Sequence, residues 1–189
     1  MRKARTMISR SRPAQAVALL PDHSAAWWLT LRFLLLLAAA SVAACGGGGA
    51  SPTDPIVVSA AAVESQSFQL INTARGQEGI DPLALDSELS RIARAHSEEM
   101  RDRGFFGHRN PEGKGLRSRL KANGVSFSAA GENLALVTDT GNPAGLAHQQ
   151  LLASPEHRDV MLAGRFVRGG VGVAQSGSSF WITQIYLKP

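Results

Sequence analysis

The 189-residue sequence contains a single cysteine, Cys45, so no disulfide can form within the chain. It has no apolar run of the ~20 residues that a membrane span requires. Its most apolar stretch, Phe33 to Ala44, is 12 residues long and includes Ser41; extending it back to Trp27 gives 18 residues but takes in Arg32. Net charge is also missing where it would matter. Six of the 20 Lys and Arg precede Cys45 against one acid, Asp22, and 14 basic and 14 acidic residues remain after it. The formal +5 therefore belongs to the leader. A domain without a net positive field does not draw in phosphate backbones, which excludes nucleic acid as a partner. No internal repeat and no nucleophile elbow are present, so a serine or cysteine hydrolase is not supported.

What the leader does contain is a positive start (Arg2, Lys3, Arg5, Arg10, Arg12) followed by that short apolar core, the pattern of an export signal. The core ends Val42-Ala43-Ala44-Cys45, which resembles the bacterial lipobox, in which small residues precede a cysteine that is lipidated and becomes the mature N-terminus. An ordinary secretory signal with Cys45 beside the cut by chance is the alternative. Gly46 to Pro55 cannot bury apolar surface and reads as a flexible spacer. The expected organisation is a signal peptide over 1–44, a lipidated cysteine and tether over 45–64, and one domain over 65–189. Localisation would be the cell envelope, anchored through lipid and outside the cytoplasm, on the outer membrane if the host has one.

In the domain, Phe68, Leu70, Ile71 and Ala74 fall on one helical face, with Gly76 and Gly79 closing that helix. Asp86 is the expected N-cap of a second helix whose apolar stripe is Leu89, Ile92, Ala93, His96 and Met100, ended by Gly104. His96 on that stripe reads as a core or cleft-wall histidine bonded to backbone. Phe105 to Gly115 is a loop carrying His108 with two phenylalanines as anchors, and Gly115 to Asn123 a short basic helix whose Arg117, Arg119 and Lys121 read as surface charges. Asn142-Pro143 and Ser154-Pro155 are cap-and-proline helix starts, the second placing His157 in a first turn with Val160, Met161 and Leu162 inward. Gly170–Ala174 and Phe180–Tyr186 form an antiparallel hairpin. Helices first and paired strands last predict an α+β domain.

Three polar points stand out: His108, Glu132 (24 positions later) and His157 (25 beyond that). A carboxylate bracketed by two imidazoles can hold a divalent metal, relay a proton or tie loops together.

Asn72 and Arg75, Ala93-x-x-His96-x-x-x-Met100, Phe106-Gly107-His108, Gly131-Glu132-Asn133, Ser154-Pro155-x-His157-Arg158, Gly170-Val171-Gly172-Val173 and Trp181-x-x-Gln184 occur in one order. Together they resemble the CAP superfamily (cysteine-rich secretory, antigen-five and pathogenesis-related proteins) in its bacterial secreted branch. The resemblance implies a three-layer α-β-α sandwich with a small antiparallel sheet. It also implies a cleft in which His108, Glu132 and His157 match two histidines and one acid, with zinc or another divalent metal bound by His108 and His157 in some members. Asn133 and Ser154 would support the site. Ser154 stands where many members have a second glutamate, and Leu151 where many have tryptophan, so the acid/base set is incomplete.

Three functions follow. The first is a tethered binding module for a metal or a small envelope-associated ligand, acting as a monomer. The second is a metal-assisted hydrolase of peptidase type, with zinc on His108 and His157 and Glu132 as catalytic base. The third is a structural or interaction module in which the three residues tie loops together.

Overall fold

The computed structural model of the chain describes residues 58–139 and 141–189. The expected signal segment, Cys45 and most of the tether lie outside the described residues. The elements run α1 (Ala60–Gln77), β1 (Ala84–Leu85), α2 (Ser87–Arg103), α3 (Leu116–Ala122), β2 (Ala129–Thr138), α4 (Pro143–Ala153), α5 (Pro155–Met161), β3 (Arg168–Ser176) and β4 (Ser179–Lys188). The strands lie in the order β1-β3-β4-β2. β4 pairs antiparallel with β2 and β3, whereas β1 pairs parallel with β3. The sheet is therefore mixed, one short parallel strand more than the expected antiparallel set.

Strand alternation sends successive residues to opposite faces, and each face has its own helices. On one, Val63 and Ile71 of α1, Leu151 of α4 and Met161 of α5 pack with Val171, Val173, Ile182 and Tyr186. On the other, Leu89, Ile92 and Ala93 of α2 and Leu120 of α3 pack with Ile185 and Leu187. This is a three-layer α-β-α sandwich, and both cores close within residues 58–189. The Gly-Val-Gly-Val pattern of β3 follows directly. Its valines fill the first core, while its glycines let α2 lie on the strand: a Cβ at Gly172 would stand 1.9 Å from the Arg94 backbone nitrogen.

The caps form as the sequence indicates. The Asp86 side chain accepts from the N–H groups of Glu88 and Leu89, Gly104 closes α2 in the left-handed region at φ 67°, and Asn142 accepts from the Gly145 N–H. Ser154 occupies the cap position of α5 but makes no side-chain capping bond. α1 begins at Ala60, inside the stretch assigned to the tether, because Ser59 caps it and Val63 is fully buried. It also runs through Gly76 to Gln77, and the reversal comes at Gly79, φ 69°. Of the three residues expected to point inward from α5, Met161 is buried, and Val160 and Leu162 are half-buried.

Asn72 and Arg75 fasten α1 to the rest of this layer. Asn72 donates to the Leu83 carbonyl (3.1 Å) and accepts from the Leu83 N–H (2.9 Å). Arg75 is wholly buried and donates to the carbonyls of Asp81, Met161, Ala163 and Phe166 at 3.0–3.1 Å. Four fixed dipoles take the place of a counter-ion, and burial pulls its pKa below the usual guanidinium value.

Candidate functional site

β2 is the edge strand that carries the central motif, and its three residues address three neighbours. Gly131 faces α5 and the chain beyond it: a Cβ there would meet Val160 Cγ1 at 2.9 Å and Phe166 Cζ at 3.0 Å. Glu132 faces the opposite layer, towards α3. Asn133, fully buried, turns back and donates from Nδ2 to the His157 backbone carbonyl at 2.9 Å. The sequence did not mark β2 as a strand, because Ala129-Ala130-Gly131 lacks the β-branched and aromatic residues that signal one.

The Glu132 side chain is only 3% exposed, and both its oxygens are engaged. His108 Nδ1 lies 2.9 Å from Oε1, and Arg119 donates from Nη2 to Oε2. Arg119 therefore corrects the reading of α3 as carrying only surface charges, since its side chain is 13% exposed and neutralises the buried carboxylate. A signal for it was present. Leu116, Arg119, Leu120 and Asn123 share one helical face, so Arg119 sits on the stripe that Leu120 buries. Arg119 also donates from Nη1 to the His108 carbonyl at 3.2 Å, holding the loop as well as the acid.

The His108 ring remains 55% exposed. With Nδ1 turned to a carboxylate, the tautomer is set and Nε2 is left for whatever occupies the cleft. Behind it, His96 is 1% exposed and bonded through Nε2 to the Gly107 carbonyl at 3.0 Å, the backbone role expected of it. Burial pushes its pKa below the ordinary imidazole value, and the nearby Arg119 charge adds to that while Glu132 opposes it. Of the two expected aromatic anchors, Phe105 packs against His96 with ring centres 6.0 Å apart, whereas Phe106 is 49% exposed and lines the cavity beside His157.

His157 is on the other side of the edge strand. Its ring makes no hydrogen bond to His108 or Glu132 among the described residues; only its backbone is tied in, through Asn133. The two histidines thus line two unlike cavities with no lining residue in common. His108 lines a cavity of about 320 Å³ with Arg109, Arg117 and Ser118, whereas His157 lines one of about 260 Å³ with Phe106, Leu134, Leu136 and Leu151. Leu151 adds to the apolar wall of the second, Gln150, Ser154 and His157 are its polar residues, and none is a carboxylate.

The donor set does not fit a metal held by three side chains. Among the described residues no three His, Cys, Asp or Glu side chains are grouped for one. The one carboxylate present is already satisfied by a guanidinium and an imidazole. A dication there would face Arg119 at close range.

Residues 68–186 match the cysteine-rich secretory protein family, CAP. The protein YkwD of Bacillus subtilis (strain 168) is 35% identical over 126 residues, which are 67% of this chain and 48% of YkwD. The chain thus spans about half the length of that relative. An extracellular protein with an SCP domain from Bacillus anthracis has a solved structure that superposes with a TM-score of 0.61 at 30% identity, covering 76% of this chain and 45% of that one. An outer surface protein of Borrelia burgdorferi shares the fold, with a TM-score of 0.58 at 17% identity over 64% of this chain and 88% of its own. The ordered motifs, the three layers and these matches agree, and the chain belongs to the CAP family.

Proposed function

We propose that this CAP domain is a non-catalytic, extracytoplasmic binding module, held to a membrane through a lipidated Cys45, whose cleft takes a small envelope-associated ligand beside His108. One observation carries the reading: the Glu132 side chain is only 3% exposed, with one oxygen turned to His108 and the other to Arg119. A general base needs a lone pair within reach of the proton it removes. A carboxylate held on both sides instead positions His108 and lowers the cost of its own burial. This supports binding over the peptidase-type alternative, which needs Glu132 free to activate a zinc-bound water. The structural reading is weaker, because loop-tying alone gives no reason for the His108 ring to stay exposed while its carboxylate partner is buried.

The test is casein hydrolysis by the domain with Zn²⁺ present, alongside Glu132→Gln and a Zn²⁺ titration of both proteins. The expected results are no turnover above the blank and zinc binding that does not depend on Glu132. Turnover that disappears in Glu132→Gln would sink the binding reading. The anchor has its own test. Cys45→Ala should leave an unacylated precursor that no longer sediments with membranes; wild-type protein found soluble and cut elsewhere would remove the anchor. Among the described residues no helix is long and apolar enough to cross a membrane.

A further inference from the structure

The neutrality of the domain conceals an uneven distribution of charge. Most of its arginines are matched to acids: Arg91 with Glu88, Arg94 with Glu64, Arg101 with Asp102, Arg103 with Glu99 and Glu112, Arg158 with Glu78, Arg168 with Asp86. The lobe formed by the loop after α2 and by α3 is different. Between residues 105 and 124 the only acid is Glu112, and Arg103 takes it at 2.5 Å. Arg119 is taken by Glu132. Arg109, Arg117 and Lys121 have no acidic partner among the described residues, and Lys114 reaches only the Glu112 charge that Arg103 already holds. This excess of cations on one lobe makes a local positive field that the summed charge hides.

The same lobe holds the cavity beside His108, which Arg109, Gly115, Leu116, Arg117 and Ser118 also line. The Arg117 guanidinium carbon lies 5.2 Å from the centre of the Phe127 ring, a cation–π contact that supports the side chain. Arg109 spends one N–H on the Gly113 carbonyl at 2.8 Å, leaving most of its five donors unused. Ser118 and His108 also line the space, and no carboxylate residue does. A cation would be repelled here, and an apolar ligand would strand the donors. Two guanidinium groups on separate supports, with a hydroxyl on the residue next to one of them, suit a group with three or four oxygens better than one with two.

We propose that this cavity binds the phosphate of a phosphate ester, with Arg117, Arg109 and Ser118 as donors and the esterified alcohol in the remaining volume. The proposal rests on the cleft being a ligand site and names the ligand's class. The chemistry is shared by a phospholipid headgroup and a soluble phosphate ester, which the experiment separates.

The domain spanning residues 58–189 closes both of its cores, so it serves for the measurement. Glycerol 1-phosphate is titrated at constant ionic strength while backbone amide and arginine Nε–H shifts are followed by NMR. Saturable shifts are expected at Arg109, Arg117 and Ser118, with acetate at least about fivefold weaker. Arg117→Gln and Ser118→Ala, both at exposed positions, should each weaken binding by about fivefold or more without changing the melting temperature. Arg165→Gln, at a cation outside the lobe, should change nothing. A second arm sediments the domain with phosphatidylglycerol vesicles. Binding that free glycerol 1-phosphate displaces identifies the lipid headgroup; binding of the free ester without vesicle binding identifies a soluble source. No saturable shift, acetate as strong as the ester, or affinity indifferent to Arg117→Gln would overturn the proposal. Turnover lost in Glu132→Gln while glycerol 1-phosphate still binds would sink the non-catalytic reading and leave the pocket standing.

Discussion

Two arginines lie inside this domain, and they are held in opposite ways. Arg75 is surrounded by four backbone carbonyls and lines neither of the two histidine cavities described above. Arg119 meets a carboxylate that is shared with a half-exposed histidine. The difference separates architecture from function. Carbonyl dipoles cannot change charge or leave, so Arg75 fixes one arrangement of α1, α5 and the start of β3. A carboxylate can be protonated, substituted or competed for, so Arg119 belongs to a part of the molecule that responds to its surroundings.

Breaking Arg75 should therefore have the largest effect. Arg75→Met takes a donor from four carbonyls, leaving the buried ones of Met161 and Phe166 without it, and the expected loss is about 4 kcal/mol in urea unfolding. A loss under about 1 kcal/mol would show that the carbonyls find water easily and that the contrast is false. Next comes the carboxylate of the second arginine. Glu132→Ala strands Arg119 and should cost about 3 kcal/mol, whereas Glu132→Gln keeps one acceptor and the shape, and should cost less than half as much. Equal melting temperatures for both variants and wild type would count against a buried role. A double-mutant cycle of Arg119→Met with Glu132→Gln sharpens the point, with a coupling of about 2 kcal/mol expected; additivity would mean that the pair is incidental.

The smallest effect is on pH dependence. His96 is neutral and buried, and its folded pKa is depressed, by burial first and then by Arg119. Below its unfolded value of 6.5 the unfolded chain takes up a proton that the folded chain refuses, so stability falls as pH drops through that value and levels off once the folded pKa is passed. His148, also depressed by burial, contributes with the same sign. Each histidine adds a slope no steeper than about 1.4 kcal/mol per pH unit. In His96→Gln the unfolding free energy between pH 7 and 5 should be flatter than in wild type, while Arg75→Met should leave the slope intact. A slope unchanged in His96→Gln would assign the whole effect to other groups.

What the sequence made legible was whatever acts over a few residues. The Asp86 cap, the Asn142-Pro143 start, Gly104 and the hairpin around Gly177 are local chemistry, and each forms as read. The pairing of His108 with Glu132 was legible as a constellation, through the family resemblance and through spacing. The helical face of Leu116 and Leu120 signalled that Arg119 turns inward, but its pairing was not legible, because the partner lies 13 positions away on a strand that small residues disguise. β1 has two residues and no pattern to read; it exists because β3 offers it an edge. Arg75 was visible as a motif residue, but its carbonyl partners are up to 91 positions away and backbone atoms carry no sequence signature.

The alternation along β2 has a consequence for how this stretch tolerates insertions. Gly131, Glu132 and Asn133 each serve a different neighbour, and their pairing with Tyr186, Ile185 and Gln184 locks their phase. One residue added inside the strand ahead of Glu132 would turn the carboxylate towards α5 and bring a neighbour round to Arg119. The same residue added to the loop before Ala129 would be absorbed without turning anything. Length variation should therefore be tolerated outside the strand and rejected within it, and the three residues can be moved only as a block.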